Sequence, residues 1–284
     1  MYDVAIIGTG PAGISAALTL TALKKNIILF GSSSLSEKIR KAEQINNYPG
    51  LNAIGGEEFA RLLSEQLRSM NIEINEKQVT GVFNMDTHYG ILCNTDIFEA
   101  RSVILASGVE PIKAISGELE FLGRGVSYCA TCDGSLYKDK TIAVICASSE
   151  FEDEVEYLAE LAKKVYLFPL YKDAGTFREN VEQIRGVPSE IMGNFKVNKL
   201  VHSNGELDID GVFLLKSAIS PSALVQGLES KDGHVVVDRD CSTNLSGLFA
   251  AGDCTGRPYQ YAKAVGEGNV AAHSAVKYLF SKKD

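Results

Sequence analysis

The chain has 284 residues, 45% of them hydrophobic and 23% charged, a composition that supports a globular protein with a substantial core. Its 28 basic and 36 acidic side chains leave a net charge of −8, which excludes the positive surface a nucleic-acid partner needs. The longest apolar runs, VAIIG, NIILFG and SVILASG, are strand-sized rather than membrane-spanning, and YDVAIIGTG follows the first Met too closely for a signal peptide, so a cytoplasmic protein is expected.

In chain order, YDVAIIG predicts a doubly buried strand of the parallel type, GTGPAG a tight turn, and ISAALTLTALK a helix. NIILFG supplies a second strand, completing a βαβ unit. An amphipathic helix is expected near residues 56–70, and short strands over 72–105 ending in RSVILASG. A second βαβ unit starts near Thr141, with strand TIAVIC, a helix to about Lys163 and strand KVYLF. A strand-rich stretch runs to about Lys216, then HVVVD and GLFAAGD predict strands before a last helix over about 260–280. Two such units predict an α/β fold with two Rossmann-like three-layer domains.

Gly8, Gly10 and Gly13 form GxGxxG between a strand and a helix. The first permits the turn, the second lets the backbone reach a pyrophosphate, and the third lets helix and strand pack closely. The helix N-terminus then stabilises the phosphate charge. The acid expected about 20 residues on to hold a ribose is replaced by Phe30 and Gly31. The motif alone therefore leaves FAD and NAD open. GLFAAGDCTG, a strand ending in Gly252-Asp253 before a helix, places a carboxylate where a ribityl hydroxyl can donate to it, and FAD is the cofactor expected.

Of six cysteines, Cys93, Cys146, Cys241 and Cys254 read as small buried hydrophobes. Cys129 and Cys132 form CATC, and with four His in the chain no second pair completes a zinc site, so no metal is expected. Two intervening residues allow a disulfide ring that opens and closes at modest cost, and Asp133 stands where it can move protons as thiolates form and leave.

GTGPAG, NNYPG, VILASG, GRGVSYCATCDG and GLFAAGDCTG with the last helix resemble the low-molecular-weight thioredoxin reductases along nearly the whole chain. The resemblance implies that FAD is held by Gly8, Thr9, Gly10, Pro11, Ala12 and Gly13, by Asn47, by a backbone contact near Val82, by Ala106, Ser107 and Gly108, by Gly252 and Asp253, and by Gln260. It implies further that Cys132 faces the flavin, that Cys129 exchanges with thioredoxin, that Asp133 is the acid, and that the enzyme is a homodimer.

The departures concentrate in the second βαβ unit. NADPH-using members carry GxGxx(A/G) after the strand matching TIAVIC and a basic pair after the strand matching KVYLF; this chain has CASSEF and FPLYKD. A side chain at each former glycine blocks close backbone approach. Glu150, Glu152, Asp153, Glu154 and Glu156 stand where a phosphate would sit. At a surface-like dielectric, two unit charges ~4 Å apart interact by about 4 kcal/mol, so these acids oppose phosphate binding. No NADPH site is expected. The pattern resembles the ferredoxin-dependent flavin thioredoxin reductases of anaerobic bacteria, which implies reduced ferredoxin as electron donor. Lys24, Lys25, Lys38, Arg40 and Lys41 are candidates for a local basic patch that greets it.

The expected organisation is an FAD domain over 1–112 and 236–284, split by a redox-disulfide domain over 113–235 with a degenerate nucleotide fold. By family analogy the two hinge, offering Cys132 to the flavin or Cys129 to thioredoxin. Three other readings stay open: an NADPH-dependent thioredoxin reductase with an atypical pocket, a related flavin disulfide reductase with another ligand in its second domain, and a flavin-bound redox sensor.

Overall fold

The computed structural model describes residues 1–93, 95–109, 115–216 and 219–282. The chain forms two compact units, one of Met1–Val109 with Ser220–Asp284, the other of Glu110–Ile219. No described helix is long and apolar enough to cross a membrane.

The first unit opens with β1 (Tyr2–Ile7), α1 (Pro11–Ala22) and β2 (Ile27–Phe30). Pro11 stands at the first turn of α1, where its missing N–H costs nothing. A short helix α2 (Glu37–Arg40) precedes α3 (Gly56–Ser69), which buries Phe59, Ala60, Leu63 and Leu67 along one face. Then come β3 (Ile74–Asn75), β4 (Gly81–Asn84), β5 (Tyr89–Cys93) and β6 (Asp96–Leu105).

In the second unit, β7 (Val126–Ser127) leads into the single turn α4 (Ala130–Asp133). There follow β8 (Thr141–Cys146), α5 (Glu152–Leu161), β9 (Lys164–Pro169) and β10 (Val181–Gln183). β11 (Pro188–Gly193), β12 (Val197–His202) and β13 (Gly205–Asp208) make a separate antiparallel sheet, and β14 (Gly211–Leu215) returns to the parallel one. That parallel sheet has the order β10-β9-β8-β14-β7. Its strands are apolar through the middle, with Ile142, Val144, Leu167, Phe213 and Leu215 in one buried cluster.

The chain re-enters the first unit with α6 (Pro221–Leu224), the hairpin β15 (Ser230–Lys231) and β16 (His234–Val235), then β17 (Leu248–Ala250) and α7 (Tyr261–Ser281). Its main sheet runs β3-β2-β1-β6-β5-β4, with β17 also on β6. The ten-residue β6 pairs parallel with β1 along one edge, while on the other its first half pairs antiparallel with β5 and its last three residues parallel with β17.

The return to the first unit falls at residue 220 rather than at 236 as the sequence suggested. Leu224 and Val225 are buried, and Val225 bridges to Val82 of β4, so this segment belongs to the first unit's packing. The other expected boundary, between residues 112 and 113, lies outside the described residues. HVVVD gives only the two residues of β16, because its hairpin partner β15, across the turn at Asp232 and Gly233, offers only Ser230 and Lys231 to pair with.

Candidate active site

In the first unit, β1, β6 and β17 are parallel and end together: Ile7 lies opposite Leu105, and Leu105 opposite Ala250. Residues 8–13, 106–108 and 251–253 therefore leave the same edge of the sheet, the carboxyl end, where α/β sheets bind ligands. A Cβ on Gly8 would stand 2.3 Å from the Ala106 carbonyl oxygen, and one on Gly13 would stand 1.8 Å from the Gly8 oxygen, so neither position accepts a side chain. Gly10 and Gly108 differ: nothing lies within 4 Å of the place a Cβ would take. The glycines thus close the turn on one side and leave open space on the other.

The last helix completes the edge. α7 packs so tightly on α1 that a Cβ on Gly268 would lie 2.1 Å from the Ala12 oxygen. Lys263 donates to the carbonyls of Gly252 (2.8 Å) and Gly256 (2.7 Å), while Glu267 accepts from the Gly252 amide (2.8 Å), fixing the turn that carries Asp253. Asn47 Nδ2 donates to Gln260 Oε1 at 2.6 Å. Lys38 reaches the Val109 carbonyl (3.0 Å) and stands 3.8 Å from the Asp253 carboxylate. Val82 is placed elsewhere, on β4 at the end of the strand order, paired with Ile91 and bridged to Val225.

These residues fit a bound dinucleotide. The open faces of Gly10 and Gly108 are a cradle that side chains would fill. Ser107 Oγ is buried with no hydrogen-bond partner among the described residues, an orphaned polar atom of the kind that a ligand satisfies. Basic Lys38 and acidic Asp253 add charged groups beside it.

In the second unit Cys129 and Cys132 are joined by a disulfide. Cys129 caps α4: its sulfur accepts from the Cys132 amide at 3.2 Å, a contact that also favours a thiolate there. Ser127 Oγ donates to Asp133 Oδ2 (2.7 Å) and accepts from the Cys129 amide (3.1 Å), so Asp133 is tied to the redox segment through one hydroxyl. Cys129 is 7% exposed and Cys132 half-buried. The other four cysteines are buried free thiols. Burial pushes Cys93 and Cys254 up to about 12 and Cys241 to about 11, and raises Cys146 too, so all four are inert thiols at neutral pH.

The turn after β8 is filled by the protein itself. Glu152 Oε1, in the first turn of α5, accepts from the Tyr171 hydroxyl (2.7 Å) and from the Gly175 amide (3.0 Å). Ser148 Oγ accepts from the Glu150 amide at 3.3 Å. The acids do not all face one empty site, as the sequence suggested: Glu156 pairs with Arg178 at 3.1 Å, Arg178 also holds Glu160, and Glu154 accepts a hydrogen bond from the Ala130 amide, between the two cysteines. Burial pushes the Glu154 carboxyl up, against that amide's lowering effect. At the start of α5 the Glu152 carboxylate thus takes the Tyr171 and Gly175 donors for the protein itself.

The profile of the family "Pyridine nucleotide-disulphide oxidoreductase" matches residues 2–168 and 176–268. A thioredoxin reductase of Helicobacter pylori is 33% identical, over 98% of this chain and 99% of its own. The chain belongs to the thioredoxin reductase family. As a family member it is a flavoprotein disulfide oxidoreductase with FAD as cofactor. Among solved structures, a ferredoxin-flavin thioredoxin reductase from Clostridium acetobutylicum matches with a TM-score of 0.89 and 48% identity, covering 99% of this chain and 98% of that one. A thioredoxin reductase from Gloeobacter violaceus matches with a TM-score of 0.77 and 29% identity, covering 100% and 95%.

Several residues around the family's disulfide escaped sequence reasoning. In the sequence Ser127 and Tyr128 stand only as members of GRGVSYCATCDG, and Glu118 and Lys216 belong to no motif. A signal existed in GVFLLK, where a lysine ends an apolar strand and is buried to 4% exposure.

Proposed function

We propose that this flavoprotein carries electrons from reduced ferredoxin to thioredoxin, through FAD and the Cys129–Cys132 disulfide, without a nicotinamide cofactor. The observation that carries the reading is Glu152: its carboxylate takes the Tyr171 hydroxyl and Gly175 amide at the turn where a coenzyme phosphate would need donors. The disulfide downstream is nevertheless intact. The likeness to the Clostridium acetobutylicum ferredoxin-flavin thioredoxin reductase supports the same donor.

FAD would be held by Gly8, Thr9, Gly10, Pro11, Ala12 and Gly13 with the α1 N-terminus, by Ala106, Ser107 and Gly108, by Gly252 and Asp253, and by Asn47 and Gln260, with Val82 as a backbone contact. When bound, it supplies a centre that collects single electrons and passes on a pair. Cys132 would accept the electron pair supplied there as the S–S bond breaks; two electrons and two protons convert the disulfide to two thiols. Asp133, tied through Ser127 to the segment, moves protons as the thiolates form. The Cys129 thiolate then attacks the thioredoxin disulfide, Cys132 resolves the mixed disulfide, and thioredoxin leaves as a dithiol.

Since Cys129 is the more buried residue of the two, exchange requires the redox segment to become accessible. The donor surface is placed at α2, where Lys38 lies beside Asp253 and Lys41 follows. Arg40 on the same helix is partly neutralised by Glu57 at 3.1 Å. The active form is a homodimer, and the compartment is the reducing cytoplasm, where four unpaired buried thiols persist.

The reading is tested by turnover: photoreduced ferredoxin should drive formation of thioredoxin thiols at catalytic enzyme concentration, and NADPH should not. NADPH-driven turnover at a comparable rate would overturn it.

A further inference from the structure

Lys216 and Glu118 form a buried ion pair in the second unit, 4% and 1% exposed. Glu118 Oε1 accepts from Lys216 Nζ (2.7 Å) and from the Tyr128 hydroxyl (2.5 Å), and Oε2 accepts from the Ile115 amide (2.9 Å). The Lys216 ammonium lies 5.0 Å from the centre of the Tyr128 ring. Taking two charges out of water is costly, and well-packed apolar residues in their place are often no less stable. Stability does not account for the pair; what it holds suggests what does.

Tyr128 is the residue before Cys129. Val126 and Ser127 pair with Val212 and Phe213 of β14, the chain bends at Tyr128, and Cys129 has φ −129°, ψ 106°. Ser127 reaches Asp133 and the Cys129 amide, while Tyr128 at the bend reaches Glu118 and Lys216. The main chain at Cys129 is thereby anchored through both preceding side chains.

We propose that Tyr128, gripped by the Lys216–Glu118 pair, is a positioning residue that sets the equilibrium between the Cys129–Cys132 disulfide and its dithiol. The inference rests on reading that disulfide as the working one. Ring closure depends on how often the two sulfurs meet in a bonding geometry, and the anchored chain keeps Cys129 Sγ against the Cys132 amide. Releasing Tyr128 lets the segment wander and favours the open dithiol.

The test equilibrates the FAD-loaded enzyme anaerobically with dithiothreitol buffers of graded ratio. Each reduction consumes one dithiothreitol dithiol, which closes to its cyclic disulfide, and yields two protein thiols, counted by alkylation and mass spectrometry. Tyr128→Phe, which keeps the ion pair and its fold, is expected to move the equilibrium about tenfold toward dithiol, ~30 mV less negative. Glu118→Leu with Lys216→Met, which removes both charges together and strands neither, should give a shift of the same sign. Two folded variants that titrate like the unaltered enzyme would show a merely structural ion pair and overturn the proposal. An unaltered enzyme whose pair does not cycle at all would instead defeat the reading of CATC beneath it.

Discussion

Asn47 and Gln260, 213 positions apart in the chain, are joined by a hydrogen bond of 2.6 Å. Both side chains are exposed, so the bond adds little to folding. Its effect is to tie the loop before α3 to the start of α7 beside the cleft, where Tyr261 also donates to the Lys38 carbonyl at 3.1 Å. Asn47→Ala and Gln260→Ala should each weaken FAD retention by about fivefold, the worth of ~1 kcal/mol, and the double variant by less than the product. Flavin release measured by fluorescence, with the melting temperature of the apoprotein unchanged, checks this. Full additivity would show that the two act separately.

Glu152 fills the turn that a coenzyme would need. Glu152→Ala leaves the Tyr171 hydroxyl and the Gly175 amide without their acceptor. The expected cost is about 1–3 kcal/mol of stability, read by denaturant unfolding. No NADPH-dependent flavin reduction should appear, because Ala147 and Ser148 still stand where close backbone approach needs glycine.

Glu154 carries a pH dependence of known sign. Its folded pKa is raised, so the folded state binds the proton more tightly than the unfolded one. Stability from this group is present below the ordinary carboxyl range and lost as pH rises through the raised value. Glu154→Gln keeps an acceptor for the Ala130 amide and cannot ionise. It should raise the melting temperature at about pH 8 and leave it nearly unchanged at about pH 4, below the unperturbed value. A variant less stable at the higher pH would contradict the assignment.

On the proposed route Cys129 exchanges with thioredoxin and Cys132 resolves. With Cys132→Ser, thioredoxin should be trapped as a mixed disulfide through Cys129, visible by non-reducing electrophoresis and mass spectrometry. Cys129→Ser should trap little. The reverse pattern would exchange the roles.

Charge reversal on α2 and after it tests the donor surface. Arg40→Glu with Lys41→Glu should raise the KM for ferredoxin about tenfold at low salt while the rate with dithionite stays near normal, and the difference should shrink as salt rises. A KM that ignores salt would move the docking surface elsewhere.

What was legible in the sequence was local. GxGxxG, CATC and Gly252-Asp253 each carry their meaning within a few residues, and the strands and helices around them follow from apolar periodicity. What was illegible joins distant positions. Glu118 and Lys216 meet across 98 positions, and a lone Glu in a loop gives no periodic signal. The five acids after TIAVIC read as one repulsive cluster; in the fold the helix turns Glu154 toward Ala130, away from the face shared by Glu152 and Glu156, which are taken by Tyr171 and Arg178. Residues 220–235 read as part of the insert because Val225 finds Val82 only once β4 has formed.

On the proposed route, reducing power reaches the flavin from a protein and not from a nicotinamide. An anaerobic absorbance titration of the FAD-loaded enzyme tests it most directly, with reduced ferredoxin, NADPH and NADH added in turn. Ferredoxin should bleach the flavin band stoichiometrically, while either nicotinamide leaves it standing. Rapid bleaching by one equivalent of NADPH would contradict the account.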